Sequence, residues 1–104
     1  MNNKFLQFIG LCKKAGKLIE GYNKCEEYIT KDKVKLIIIS EDCSNNTRDK
    51  FIGYCNKKNI PFINGPTKEE LGNTVGRVEI NILGVIDKNM SERLLILWNE
   101  NSNK

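Results

Sequence analysis

The sequence predicts an α/β fold, a three-layer α/β/α sandwich around a mixed, mostly four-stranded sheet. Three observations carry that expectation. Segments with apolar residues at helical spacing alternate along the chain with short, apolar, strand-like runs. At 104 residues the chain has room for one hydrophobic core and not for two. The strand-like runs are too few to close a barrel, and nothing in the chain repeats or reads as a linker, so residues 1–104 form one domain.

Each element follows from local pattern. Phe5, Leu6, Phe8, Ile9 and Cys12 recur at helical spacing, and Gly16 stops that first helix after Lys13-Lys14-Ala15. Leu18-Ile19 is a short strand closed by Glu20-Gly21. A second helix runs from about Tyr22 to Lys31, with Cys25, Tyr28 and Ile29 on one face. Val34 to Ser40 is a strand, and its unbroken run Leu36-Ile37-Ile38-Ile39 requires burial on both faces, hence a central position. The N-cap-rich stretch Asp42 to Thr47 opens a third helix from about Thr47 to Lys58, which Asn59 ends. Ile60 to Ile63 is a strand. Thr67-Lys68-Glu69-Glu70 is a capping box that starts a fourth, short helix ending near Gly76. Glu79 to Ile86 is the last strand and Asn89 to about Asn99 the last helix, buried through Leu94, Leu95, Leu97 and Trp98. The tail from about residue 100 is expected to fray.

Composition narrows the function. Hydrophobic residues make up 39% and charged residues 29%, as in a globular domain rather than a disordered one. The longest apolar run is far short of the roughly 20 residues of a membrane span. The opening Phe5 to Lys14 lacks a small-residue cleavage site and is interrupted by Gln7, so it reads as an amphipathic helix rather than a signal peptide, and the expected location is cytoplasmic. The four cysteines, at positions 12, 25, 43 and 55, form no CxxC pair and the chain has no histidine. Metal binding and a histidine general base are therefore not expected, and the thiols read as buried, reduced apolar groups. No nucleophile elbow, phosphate loop or dinucleotide fingerprint is present. Glu41-Asp42 with Cys43 could build a small catalytic site, but adjacent residues of an extended segment diverge, and turn capping accounts for them better. No cofactor is expected, and the chain is read as a non-enzyme.

The charge distribution points elsewhere. The net charge is +4, and residues 1–35 carry all of the excess: eight lysines (4, 13, 14, 17, 24, 31, 33 and 35) against Glu20, Glu26, Glu27 and Asp32. A polyanion-binding face or an ordinary lysine-rich surface would produce this pattern. Within it, a strand meets Gly21 and a helix begins at Tyr22-Asn23-Lys24, so free backbone N–H groups and the positive dipole end face outward, an arrangement that attracts phosphate. Lys13, Lys14 and Lys17 are expected nearby. Asn23 is either a helix cap or, with a donor and an acceptor on one planar amide, a reader of a base edge. A second turn, Gly76-Arg77-Val78, places an arginine beside an apolar side chain, able to hold an unstacked base or simply to follow a helix C-cap.

Taken in order, these segments resemble the kink-turn-binding ribosomal-protein family of the L7Ae and L30e type, its bacterial YlxQ-type members most of all. The residues that carry the resemblance are Phe5-x-x-Phe8-x-Gly10-Leu11-x-Lys13-x-Ala15-Gly16-Lys17-Leu18, Gly21, Lys35 to Ser44 with Asn46-Thr47, Asn59-Ile60-Pro61, and Leu71-Gly72-x-x-x-Gly76. The resemblance spans roughly Phe5 to Leu97. It implies a mixed sheet between helices, no catalysis, and binding of kinked RNA at tandem sheared G·A pairs through the start of the second helix. The family's glycine falls on Gly21 and its guanine-reading asparagine on Asn23. Its base-clasping loop falls on Arg77, Val78 and Glu79, and a supporting lysine on Lys68. Lys24 replaces the usual acidic neighbour of that asparagine and Glu27 the usual lysine one turn later. Lys24 donates to guanine O6 and N7 but accepts nothing, and Glu27 repels phosphate. The expected partner is structured RNA, ribosomal or kink-turn-containing, bound by a monomer on the ribosome or apart from it and without membrane contact; the alternative is a protein-interaction module contacting a ribosomal or RNA-processing factor.

Overall fold

A computed structural model describes the backbone of residues 3–102 and the side chains of residues 4–100. Five helices and four strands alternate: α1 (Asn3–Lys14), β1 (Leu18–Glu20), α2 (Tyr22–Thr30), β2 (Leu36–Ile39), α3 (Asn45–Lys58), β3 (Phe62–Asn64), α4 (Lys68–Thr74), β4 (Ile82–Val85) and α5 (Lys88–Ser102). The strands form one mixed sheet in the order β1-β4-β2-β3. β4 runs antiparallel to both β1 and β2, whereas β2 and β3 are parallel. The three-layer sandwich and its four-stranded mixed sheet are as the sequence predicts.

The alternation of side chains along β2 builds the three layers. Leu36 and Ile38 point into a core shared with Phe5, Ile9 and Cys12 of α1, Leu71 of α4, and Leu94 and Leu97 of α5. Ile37 and Ile39 point to the other face, among Cys25 and Ile29 of α2 and Phe51 and Cys55 of α3. All four β2 residues are fully buried, which accounts for the central position their unbroken apolar run demands. Each such isoleucine contributes about 1.5–3 kcal/mol relative to an exposed one.

Several boundaries differ from the sequence reading, each for a local reason. Helix α3 starts at Asn45 because the Ser44 hydroxyl accepts the Thr47 amide and so serves as the N-cap. Asn59 ends that helix in the left-handed conformation, as expected. Strand β4 begins at Ile82 rather than Glu79, since the Ile80 amide donates to the Lys68 carbonyl of α4 instead of joining the sheet. The Thr67 and Glu70 capping box forms in full. Helix α5 continues past Asn99 to Ser102, so the tail expected to fray from about residue 100 is helical that far, its backbone N–H groups still within reach of the preceding turn; residues 103–104 lie outside the described residues. Among the described residues no helix is long and apolar enough to cross a membrane.

This topology fixes where a site can form. β1, β2 and β3 all finish at one edge of the sheet, and the antiparallel β4 enters there. Gly21, the Ser40–Ser44 turn, the Gly65–Thr67 turn and the loop before Ile82 therefore lie along a common rim. The Ser40 hydroxyl, fully buried, locks two of them together by donating to the Asn81 side-chain oxygen at 2.7 Å.

Candidate nucleic-acid interface

Gly21 is the N-cap of α2, with φ 96° and ψ 167°. A side chain at that φ would be strained, so glycine here follows from the backbone path itself. Its amide donates to the Ile82 carbonyl across to β4, and its carbonyl accepts the Cys25 amide to close the first helical turn. No side chain caps this end, and the first turn contains no acidic residue. The helix is pinned from below by Cys25, which is fully buried, while Asn23 and Lys24 are exposed. Asn23 is thus the second residue of the helix and not its cap. That leaves its amide facing outward beside the open, electropositive end.

The loop that carries Arg77 is laid against the same rim by close backbone packing. The Arg77 amide donates to the Gly72 carbonyl at 2.8 Å, and a Cβ on Gly72 would lie 2.4 Å from the Glu79 Cα. Only a residue without a side chain lets the segment after Gly76 fold back over α4. Val78, at its tip, is 85% exposed, a large apolar side chain with no core role.

Glu20 joins the loop to the start of α2. It is the last residue of β1, directly before Gly21, and its carboxylate accepts Arg77 Nε at 2.7 Å and pairs with Lys13 Nζ at 3.0 Å. Burial would raise its pKa, but hydrogen bonds from Arg77 and Lys13 outweigh that and hold the carboxyl below the usual glutamate range. The Lys13 ammonium also donates to the Val75 carbonyl at 2.5 Å. Lys13 therefore ties the end of α4 to β1. Lys68 opens α4; its ammonium is 3.9 Å from Glu79 and its amide donates to the Asp42 carboxylate at 2.8 Å.

The structure accordingly brings the Gly21 start of α2 and Arg77 together through Glu20, with Asn23 exposed on the first turn, Val78 exposed at the loop tip, and Lys68 and Lys13 bracing the loop from behind; Lys24 leans along α2 instead, its ammonium 6.0 Å from the centre of the Tyr28 ring. Lys14 lies to one side, lining a groove between α1 and α4 with Gln7, Leu11, Thr74 and Gly76. Lys17 is not brought to the site. Its carbonyl accepts the Ile86 amide at the far end of β1, and the intervening strand separates it from Gly21 by roughly 13 Å at the usual rise per residue. The positive excess of residues 1–35 does not gather on one face either. Lys31, Lys33 and Lys35 follow the carboxyl end of α2, and Lys35 donates its amide to Val85, again at the far edge. Glu27 pairs with Lys31 at 3.0 Å, which places its charge toward that end of the helix.

The residues considered for catalysis are occupied otherwise. Asp42 accepts the Lys68 amide, the leading reason that its pKa is lowered. The four cysteines are buried and free. Burial raises the thiols of Cys12 and Cys55 to about 11 and of Cys25 to about 12, and raises Cys43 as well. Thiols held protonated in this way are poor nucleophiles. Sequence reasoning gave Glu20 no part in the site, and it named Gly72 only within the family resemblance, without the contact that requires it. An acid directly before Gly21 was visible, but its partner is 57 residues away, and the contact that demands glycine at position 72 is made across a loop.

A mixed sheet between two helical layers, with an uncapped helix start and the Arg77 loop on one rim, is an α/β sandwich that known proteins share. The chain belongs to the Ribosomal protein L7Ae/L30e/S12e/Gadd45 family, whose model matches residues 3–95. It is 26% identical over 94 residues to a Bacillus subtilis (strain 168) protein named RNA-binding protein YlxQ, covering 90% of this chain and 94% of the relative. A protein of the same name from Enterococcus faecium is also 26% identical, over 86% of both chains. Among solved structures, a Bacillus halodurans C protein described as of unknown function superposes with a TM-score of 0.89 at 28% identity, over 92% of this chain and 97% of that one. A Giardia lamblia 15.5kD RNA binding protein superposes with a TM-score of 0.76 at 15% identity, over 96% and 89%, a likeness of fold.

Proposed function

We propose that this single domain binds structured RNA without catalysing a reaction, through the amino end of α2 and the loop after Gly76. The observation that carries the reading is the open start of α2 with Arg77 held beside it by Glu20. A helix start without a cap supplies N–H donors and positive potential to a phosphate. Asn23 presents a donor and an acceptor to a base edge, Val78 an apolar surface for an unstacked base, and Lys24 joins them by swinging its ammonium from the Tyr28 ring toward the RNA. Relatives named as RNA-binding proteins support the same class of ligand. The family resemblance narrows the ligand to kinked RNA with tandem sheared G·A pairs, of the kind found in ribosomal RNA. Lys13 and Lys68 act in this reading by holding the loop, and Lys14 by reaching flanking phosphates.

A gel-shift titration with an RNA hairpin carrying tandem sheared G·A pairs tests the proposal. A shift that weakens with Asn23→Ala supports it; no shift at low salt contradicts it.

A further inference from the structure

Glu20 is an acid placed in the middle of a surface read here as RNA-binding, where simple electrostatics would exclude it. Its contacts explain the exception. The carboxylate accepts Arg77 Nε at 2.7 Å, a bond to the side of the guanidinium that leaves the N–H pair at its outer end for another acceptor. It is held from the other side by Lys13, itself fixed to the Val75 carbonyl. Its side chain is 15% exposed while those of Lys13 and Arg77 are 45% and 54% exposed, so the acid lies beneath the two cations. Within this trio the cations are the more exposed partners, while Glu79 of the same loop faces solvent beside Lys68.

We propose that Glu20 is a specificity-determining residue that acts through Arg77, orienting it for a folded RNA while lowering attraction to unstructured strands. The inference rests on the RNA-binding reading above. Two opposing effects follow from one carboxylate. An arginine fixed by Nε offers its outer N–H pair in a set direction, which favours a ligand whose acceptors are equally fixed. The same negative charge offsets part of the local positive field, which is all that a flexible strand senses.

The experiment compares wild type, Glu20→Ala and Glu20→Gln against two probes: the hairpin with tandem sheared G·A pairs and an oligouridine of equal length. Glu20→Ala is expected to weaken the hairpin about 10-fold through lost pre-organisation. It should tighten oligouridine about 2- to 5-fold, the scale of one exposed charge pair. Glu20→Gln keeps an oxygen for Arg77 Nε and should retain more hairpin affinity than the alanine variant, while tightening oligouridine equally. A purely electrostatic role would tighten both RNAs in both variants, and a purely structural role would weaken both; either result overturns the proposal.

Amide hydrogen exchange on the free proteins separates this inference from the reading beneath it. Faster exchange at Arg77 and Ile80 in Glu20→Ala, with α3 unchanged, supports the anchoring of the loop; unchanged exchange there overturns it, whatever RNA binds. Failure of wild type to bind the hairpin would instead remove the RNA-binding reading, and with it the selectivity.

Discussion

At the scale of the residue, the structure separates side chains that could meet a ligand from those that hold them. Asn23 stands on the second position of α2 with its amide free of any capping role, because Gly21 is the N-cap. Asn23→Ala should therefore leave thermal stability unchanged and weaken binding of the hairpin by about 1–3 kcal/mol, the worth of a good base contact. Gel shifts and a melting curve on the same variant check both halves. Glu20 has a lowered pKa, so its contribution to stability is complete above the unfolded value of 4.5 and is lost as pH falls through the lower folded value. Acidification through that lower value should release Arg77 and speed exchange of the loop amides before the core opens. The thiols behave in the opposite sense. Raised by burial, Cys12, Cys25 and Cys55 should resist a thiol-titrating reagent at neutral pH and react only on unfolding.

At the scale of the element, what was legible in the sequence was whatever depends on near neighbours. The capping box at Thr67, the left-handed stop at Asn59 and the buried run of β2 are set by residues within one turn or one strand, and all three are found. The start of β4 was not legible, because Glu79 to Asn81 have strand-like composition but bond to α4 and Ser40 instead. The candidate site follows the same line. Gly21 and Asn23 could be read from a glycine between strand and helix. The separation of Lys17 from Gly21 also follows from local pattern, since the strand between them puts the two at its opposite ends. Gly72→Ala tests the packing of the loop: with Glu79 in its way, the added methyl should displace residues 77–80 and lower stability by about 1–3 kcal/mol, as overpacking does, readable by urea denaturation. Thr67→Ala should cost about 1 kcal/mol by removing the cap of α4.

At the scale of the whole molecule, the account turns on polarity between the two edges of the sheet. One rim carries the start of α2, the Ser40 turn and the Arg77 loop; the other carries Lys17, Lys35, Lys58 and the start of α5. The excess of lysine in the first third of the chain is thus shared between both edges, and charge counted along the sequence overstates what the interface sees. Affinity should still fall with salt, with a slope of about −0.7 to −0.9 per phosphate neutralised. Lys17→Ala should change that slope less than Arg77→Ala. Amide chemical-shift mapping with the G·A hairpin is the most direct measurement: shifts confined to residues 20–24 and 76–80 are the predicted result, and shifts clustered instead around Lys58, Asn59 and Lys88 would contradict the account.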